Sequence, residues 1–325
     1  MPNYSDILEA QNRLKGHARR TPLLNSPFLD EVAGKRVFVK AECLQRTGSF
    51  KFRGAWSAIS ALAPEIRAKG VIAFSSGNHA QGVAHAAALH DIPAVIIMPM
   101  DAPEIKIRNT RAYGAEVVLY DRANGASREE AAAEIQKTRD LTLLAPFDNE
   151  MVIAGQGTVG LEIAEQAQEM HINQGDVAIC CGGGGLTAGI AIALSKAAPN
   201  LTPRPAEPEG FDDVTRSLVS GAIQTNNQIS GSLCDAILTP APGAMTWPYL
   251  KKHCGAGHVV SDAECLHAMA LAFEHLKIVV EPGGAAGLAA AIFRASDHDD
   301  VIAVATGGNV DADIFQTALK TFGSK

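Results

Sequence analysis

Val71-Ile72-Ala73-Phe74 runs directly into Ser75-Ser76-Gly77-Asn78-His79-Ala80-Gln81-Gly82. Four apolar residues of strand character meet a small-residue turn, and the turn opens a helix. The same succession occurs twice more. Val177-Ala178-Ile179-Cys180-Cys181 leads into Gly182-Gly183-Gly184-Gly185-Leu186-Thr187-Ala188-Gly189, and Val301-Ile302-Ala303-Val304-Ala305 into Thr306-Gly307-Gly308-Asn309-Val310-Asp311. Further apolar runs at 37–41, 94–98 and 116–120 alternate with helical patterns. That alternation predicts an α/β fold of parallel sheets covered on both faces. Ligands of such folds collect beyond the carboxyl ends of the strands.

The strands that begin after residue 68 give out near Pro146-Phe147-Asp148-Asn149, and a long helix starts near Val152. Residues 68–148 therefore read as a smaller lobe inserted into a larger one built from 1–67 and 149–325. Within the larger lobe, Pro199-Asn200-Leu201-Thr202-Pro203-Arg204-Pro205 is the least strand-like stretch, because proline cannot donate to a ladder. A truncated or edge strand is expected there.

With 325 residues, 47% hydrophobic and 19% charged, the chain has the composition of a globular enzyme with a large core. Its formal charge of −7 argues against nucleic-acid or anionic-membrane partners. No apolar run matches a bilayer span, and Met1-Pro2-Asn3-Tyr4-Ser5-Asp6 carries no leader pattern. The six cysteines show neither CxxC pairing nor zinc spacing, so they read as reduced core residues. A cytoplasmic location is the expectation.

Chemistry enters with Gly48-Ser49-Phe50-Lys51-Phe52-Arg53-Gly54-Ala55. Two phenylalanines bring apolar surface to an amine that normally seeks water. Burial disfavours the ammonium and lowers its pKa, as a Schiff-base lysine requires. The competing reading is a lysine whose stem lies on the core with its head in solvent. Four glycines at Gly182, Gly183, Gly184 and Gly185, followed by Leu186, allow backbone N–H groups to turn inward at a helix N-terminus, an arrangement suited to phosphate.

Taken in this order, the lysine octapeptide, the Ser-Ser-Gly-Asn-His turn and the tetraglycine resemble the fold-type-II pyridoxal 5'-phosphate enzymes, a tryptophan-synthase-β-like architecture of two open twisted parallel sheets with flanking helices. The short serine/threonine dehydratases and serine racemase are the nearest in pattern. The resemblance runs from Arg20-Thr21-Pro22-Leu23 to Asn309-Val310-Asp311. It implies that Lys51 holds the cofactor, that Phe50 and Glu281 wall it, that Asn78 meets its 3-hydroxyl and that Thr306 faces its ring nitrogen. It implies that the turn Ser75, Ser76, Gly77, Asn78 and His79 binds the substrate carboxylate, with His79 otherwise a structural helix residue. Ser76 would face Lys51 across the cofactor as the second acid/base, although both serines could simply cap the helix.

By the same resemblance, Glu207, the Phe211 carbonyl and Asp213 bind magnesium, calcium or manganese, all hard cations that take oxygen ligands. An acidic helix start is the alternative. Arg128 aligns loosely with a small-lobe arginine that closes on the substrate and could grip a second carboxylate. The implied activity is dehydration of L-threonine, L-serine or 3-hydroxyaspartate to a 2-oxo acid and ammonia. Amino-acid racemisation is the alternative, weakened because Thr239-Pro240-Ala241-Pro242-Gly243-Ala244-Met245-Thr246-Trp247 lacks the serines of the racemase loop. A homodimer acting on a small amino acid is expected.

Overall fold

The computed structural model describes residues 1–323 except 76, 101, 103, 122–126 and 229, and except the side chains of 105, 128 and 129. Among the described residues there are ten strands: β1 (Leu23–Asn25), β2 (Arg36–Lys40), β3 (Val71–Phe74), β4 (Ala94–Pro99), β5 (Glu116–Tyr120), β6 (Thr142–Leu143), β7 (Gly175–Cys180), β8 (Leu201–Pro208), β9 (His258–Val260) and β10 (Asp300–Val304). Six of them form one sheet in the order β1-β2-β10-β7-β8-β9 and four form another in the order β5-β4-β3-β6. Every pairing is parallel except β1 with β2.

Burial on both faces explains why the central strands read as unbroken apolar runs. Ala178, Val301 and Ala303 face a core shared with the helices Asp262–Leu271 and Pro282–Phe293. Their neighbours Val177, Ile179, Ile302 and Val304 face the opposite core, shared with Glu150–Glu169 and Gly185–Ala197. In the smaller sheet, Val71 and Ala73 pack with the helices Lys51–Ala61 and Asn78–Leu89, whereas Ile72 packs against Arg128–Thr138.

The proline-rich stretch is not truncated, since β8 runs for eight residues. Residues 201–205 do lie at an edge: β7 flanks them on one side, and among the described residues no strand pairs with them on the other. The register of β8 explains the tolerance. The carbonyls of Asn200 and Ala206 accept from Gly175 and Cys181 on the β7 side. Pro203 and Pro205 therefore present their missing donors to the other side, where β9 pairs only with Ala206, Glu207 and Pro208. The Pro203 carbonyl on that side accepts from Gly255 at 2.9 Å. No ladder bond is lost, so the strand is not shortened.

A buried charge network lies behind the helix that begins at Lys51. Arg53 donates to both oxygens of Glu42 (2.8 and 2.7 Å) and both of Glu162 (2.7 and 2.9 Å). Lys40 donates to Glu162 (2.6 Å), Gln166 (2.8 Å) and the Thr21 carbonyl (2.8 Å). Lys40 and Glu42 are fully buried and Arg53 almost so. Two cations and two carboxylates thus tie β2 and the Lys51 helix to the helix Glu150–Glu169.

Candidate active site

The carboxyl ends of β3, β7 and β10 open into one cleft of about 800 Å³. Its lining includes Lys51, Asn78, Gly182 to Gly185, Glu281 and Thr306. Segments far apart in sequence therefore meet where the strand ends predict a ligand.

Lys51 is half-buried at the start of its helix, and its ammonium donates to the Pro146 carbonyl at 3.2 Å and lies 5.1 Å from the centre of the Phe50 ring. Burial lowers its pKa to about 8, against an opposing pull from Glu281. An appreciable neutral fraction near neutrality makes it a nucleophile and a base. His79 cannot share that role. Burial and the nearby Lys51 push it down to about 3, and its Nε2 meets the Leu144 carbonyl at 3.0 Å. The cysteines are no rivals either. Burial raises Cys43 and Cys254 to about 12 and Cys180 to about 11.

Asn78 opens the helix Asn78–Leu89 and is held by both ends of its amide. Its Nδ2 donates to Glu281 Oε1, and its Oδ1 accepts from Asn309 Nδ2 at 2.6 Å. Asn309 also donates to the Thr47 carbonyl at 2.8 Å, which links this cluster to the turn before Lys51. Burial raises the Glu281 carboxyl to about 7, although Asn78 pulls the other way. Thr306 is buried beside Cys180 and Phe50, and its backbone carbonyl accepts from Phe50 N–H at 3.1 Å. Ser75 accepts from Gly77 N–H at 3.2 Å, shaping the turn in front of the helix.

From Gly183 to Gly185 the loop has room for nothing larger than glycine. A Cβ on Gly183 would lie 2.5 Å from the Phe147 ring, and Gly184 adopts φ +86°, where L side chains are strained. Leu186 and the helix N-terminus complete a backbone cradle fit for an anion.

Ser76 lies outside the described residues. Arg128 opens the helix Arg128–Thr138, behind Ser127, which lines the cleft, but its side chain is likewise outside them. The cleft also contains groups that the sequence reading did not single out. Lys106 pairs with Asp235 at 2.8 Å, and Phe147 packs on the glycine loop. Phe147 was visible only as part of a boundary motif, and nothing local marks Lys106.

The proposed metal ligands lie apart from this lining. Glu207 lies one residue before the end of β8 and accepts from Val214 N–H (2.8 Å), Thr215 N–H (2.7 Å) and Thr215 Oγ1 (2.6 Å), capping the helix Asp213–Ser220. Asp213 Oδ1 accepts from Asn226 Nδ2 at 2.5 Å, while its buried Oδ2 meets no partner. Burial raises Glu207 to about 8 and Asp213 to about 6. Two buried carboxylates, one with an orphaned oxygen, suit a cation with oxygen ligands. Phe211, buried in the turn between them, supplies the intervening backbone.

The chain is similar to known proteins over most of its length. Residues 14–307 match the model of the family described as pyridoxal-phosphate dependent enzyme. The chain is 39% identical over 322 residues to an L-threo-3-hydroxyaspartate ammonia-lyase of a Pseudomonas species, covering 98% of this chain and 99% of that protein. It is 38% identical over 312 residues to a serine racemase of Arabidopsis thaliana, covering 94% and 92%. The solved structure of maize serine racemase superposes with a TM-score of 0.90 at 35% identity, covering 98% and 97%. The chain belongs to the pyridoxal-phosphate-dependent enzymes, and its fold is their fold type II.

Proposed function

We propose that this chain is a pyridoxal-phosphate-dependent ammonia-lyase that dehydrates a β-hydroxy amino acid, a 3-hydroxyaspartate ahead of L-threonine and L-serine. The carrying observation is the end-to-end similarity to an L-threo-3-hydroxyaspartate ammonia-lyase, joined to a cleft that offers a half-buried amine and an anion cradle. Lys106 adds a second cation in the cleft that a distal carboxylate could engage in place of Asp235.

Bound in this cleft, the cofactor supplies an electron sink for the substrate's α-carbon. Lys51, Phe50, Asn78, Glu281, Thr306 and the loop 182–186 are the residues proposed to hold it. The chain then has three tasks. N–H groups at 77–79 bind the α-carboxylate, Lys51 Nζ takes the α-proton, and the walls exclude water. Loss of the β-hydroxyl and hydrolysis of the resulting enamine leave a 2-oxo acid and ammonia. Thr306 would offer the cofactor's ring nitrogen a neutral hydroxyl in place of a carboxylate, which would favour prompt loss of the β-group over long storage of the charge.

Racemisation is the second reading, favoured by the similarity to serine racemase and by the presence in the sequence of Ser76, which the resemblance casts as a second acid/base. The loop 239–247 counts against it, since no serine stands there. The substrate assignment is tested by kcat/KM for L-threo-3-hydroxyaspartate against L-serine. At least about a tenfold preference for the dicarboxylate is expected; a preference for serine or threonine would refute that choice.

A divalent cation at Glu207, the Phe211 carbonyl and Asp213, homodimeric assembly and a cytoplasmic setting complete the proposal. All six cysteines are free thiols, in keeping with a reducing compartment, and no helix among the described residues is long and apolar enough to cross a membrane. Magnesium at about a hundredfold excess over its dissociation constant is expected to stabilise the protein by about 2.7 kcal/mol in urea unfolding. Asp213→Asn should lose that increment. An unfolding midpoint that ignores both magnesium and chelator would rule the cation out.

A further inference from the structure

The glycine cradle is held from behind by the loop that departs from the racemase pattern. Thr246 is fully buried, and its hydroxyl lies 2.7 Å from the Gly183 carbonyl and 3.0 Å from that of Gly243. Gly243 N–H donates to the same Gly183 carbonyl at 3.1 Å. Asp148 accepts from Ala244 N–H (2.9 Å) and Met245 N–H (3.2 Å), so the turn carrying these donors is itself fixed. A Cβ on Gly184 would lie 2.9 Å from Thr246 Oγ1.

A trans peptide points its C=O and N–H in opposite directions. Two donors behind the loop hold the Gly183 carbonyl there, so the Gly184 N–H is turned toward the cleft. That N–H meets no acceptor among the described residues. We infer that Thr246 is a positioning residue for the anion cradle: it touches neither cofactor nor substrate but fixes the peptide whose N–H receives the phosphate. This inference rests on the proposal that the tetraglycine loop binds the cofactor phosphate.

The test is the affinity of the apo-protein for pyridoxal 5'-phosphate and for pyridoxal, which lacks the phosphate, measured by absorbance titration. The wild-type protein should prefer the phosphorylated form. Thr246→Val keeps the shape and removes the donor; it should weaken pyridoxal phosphate by about tenfold, the size of one hydrogen bond, and leave pyridoxal unchanged. Thr246→Ser should stay within about threefold of wild type. A Thr246→Val protein with its full preference intact would overturn the inference. Equal wild-type affinity for both ligands would instead overturn the phosphate assignment beneath it. Should Thr246→Val fail to fold, Asp148→Asn loosens the same turn from its other side. A reduced preference in that variant supports the inference, and an undiminished one overturns it.

Discussion

Lys51→Ala is expected to lower ammonia release by at least about 10³-fold while the protein remains folded. Lys51 is the base proposed for this cleft, Glu281 being engaged by Asn78. His79 is held neutral near pKa 3, and Lys106 is engaged by Asp235. Stability should hardly change, because the ammonium makes one hydrogen bond, at 3.2 Å, and its burial works against its charge. The glycine cradle is untouched, so the variant should still take up cofactor through the phosphate. Ammonia release with circular dichroism as the folding control checks both halves. A folded variant with turnover within about tenfold of wild type would refute the role given to Lys51.

Arg53→Met is expected to cost about 3–5 kcal/mol in urea unfolding, the usual result of stranding a buried charge. Burial works to raise the Glu42 carboxyl, yet the Arg53 charge and hydrogen bonds leave it below its ordinary value. Removing the guanidinium leaves Glu42 with Lys40 and Thr21 as its remaining polar company. Glu162 keeps its bond from Lys40. Because Arg53 sits two residues beyond Lys51 on one helix, the variant should also hold its cofactor less firmly. A loss below about 1 kcal/mol would show that the network relaxes or admits water.

The fold was largely legible because its central strands are buried on both faces. Val71–Phe74 and Glu116–Tyr120 are strands over the residues their apolar runs mark, and β7 and β10 begin one or two residues earlier than theirs. Lys51, Asn78, the tetraglycine and Thr306 stood out because each follows a strand in a short distinctive motif, and the cleft brings them together. Proline misled only on the length of β8, since a sequence does not tell which side of a strand lacks a neighbour. Networks between distant residues left no local signal. Arg53 meets Glu162 across 109 positions, Lys106 meets Asp235 across 129, and Thr246 meets Gly183 across 63. In the sequence Glu207 reads as a metal ligand or as part of an acidic helix start. It caps that helix from the end of a strand, a placement neither reading contained.

The proposed function stands or falls on whether this cleft eliminates a β-hydroxyl or merely inverts an α-carbon. One assay separates the two by following ammonia, 2-oxo acid and chiral composition together, from L-threo-3-hydroxyaspartate and from L-serine, with Lys51→Ala as the blank. Ammonia and 2-oxo acid are expected to appear one for one, faster than any D-isomer accumulates. Accumulation of the D-isomer from either substrate, with no release of ammonia, would overturn the assignment as a lyase.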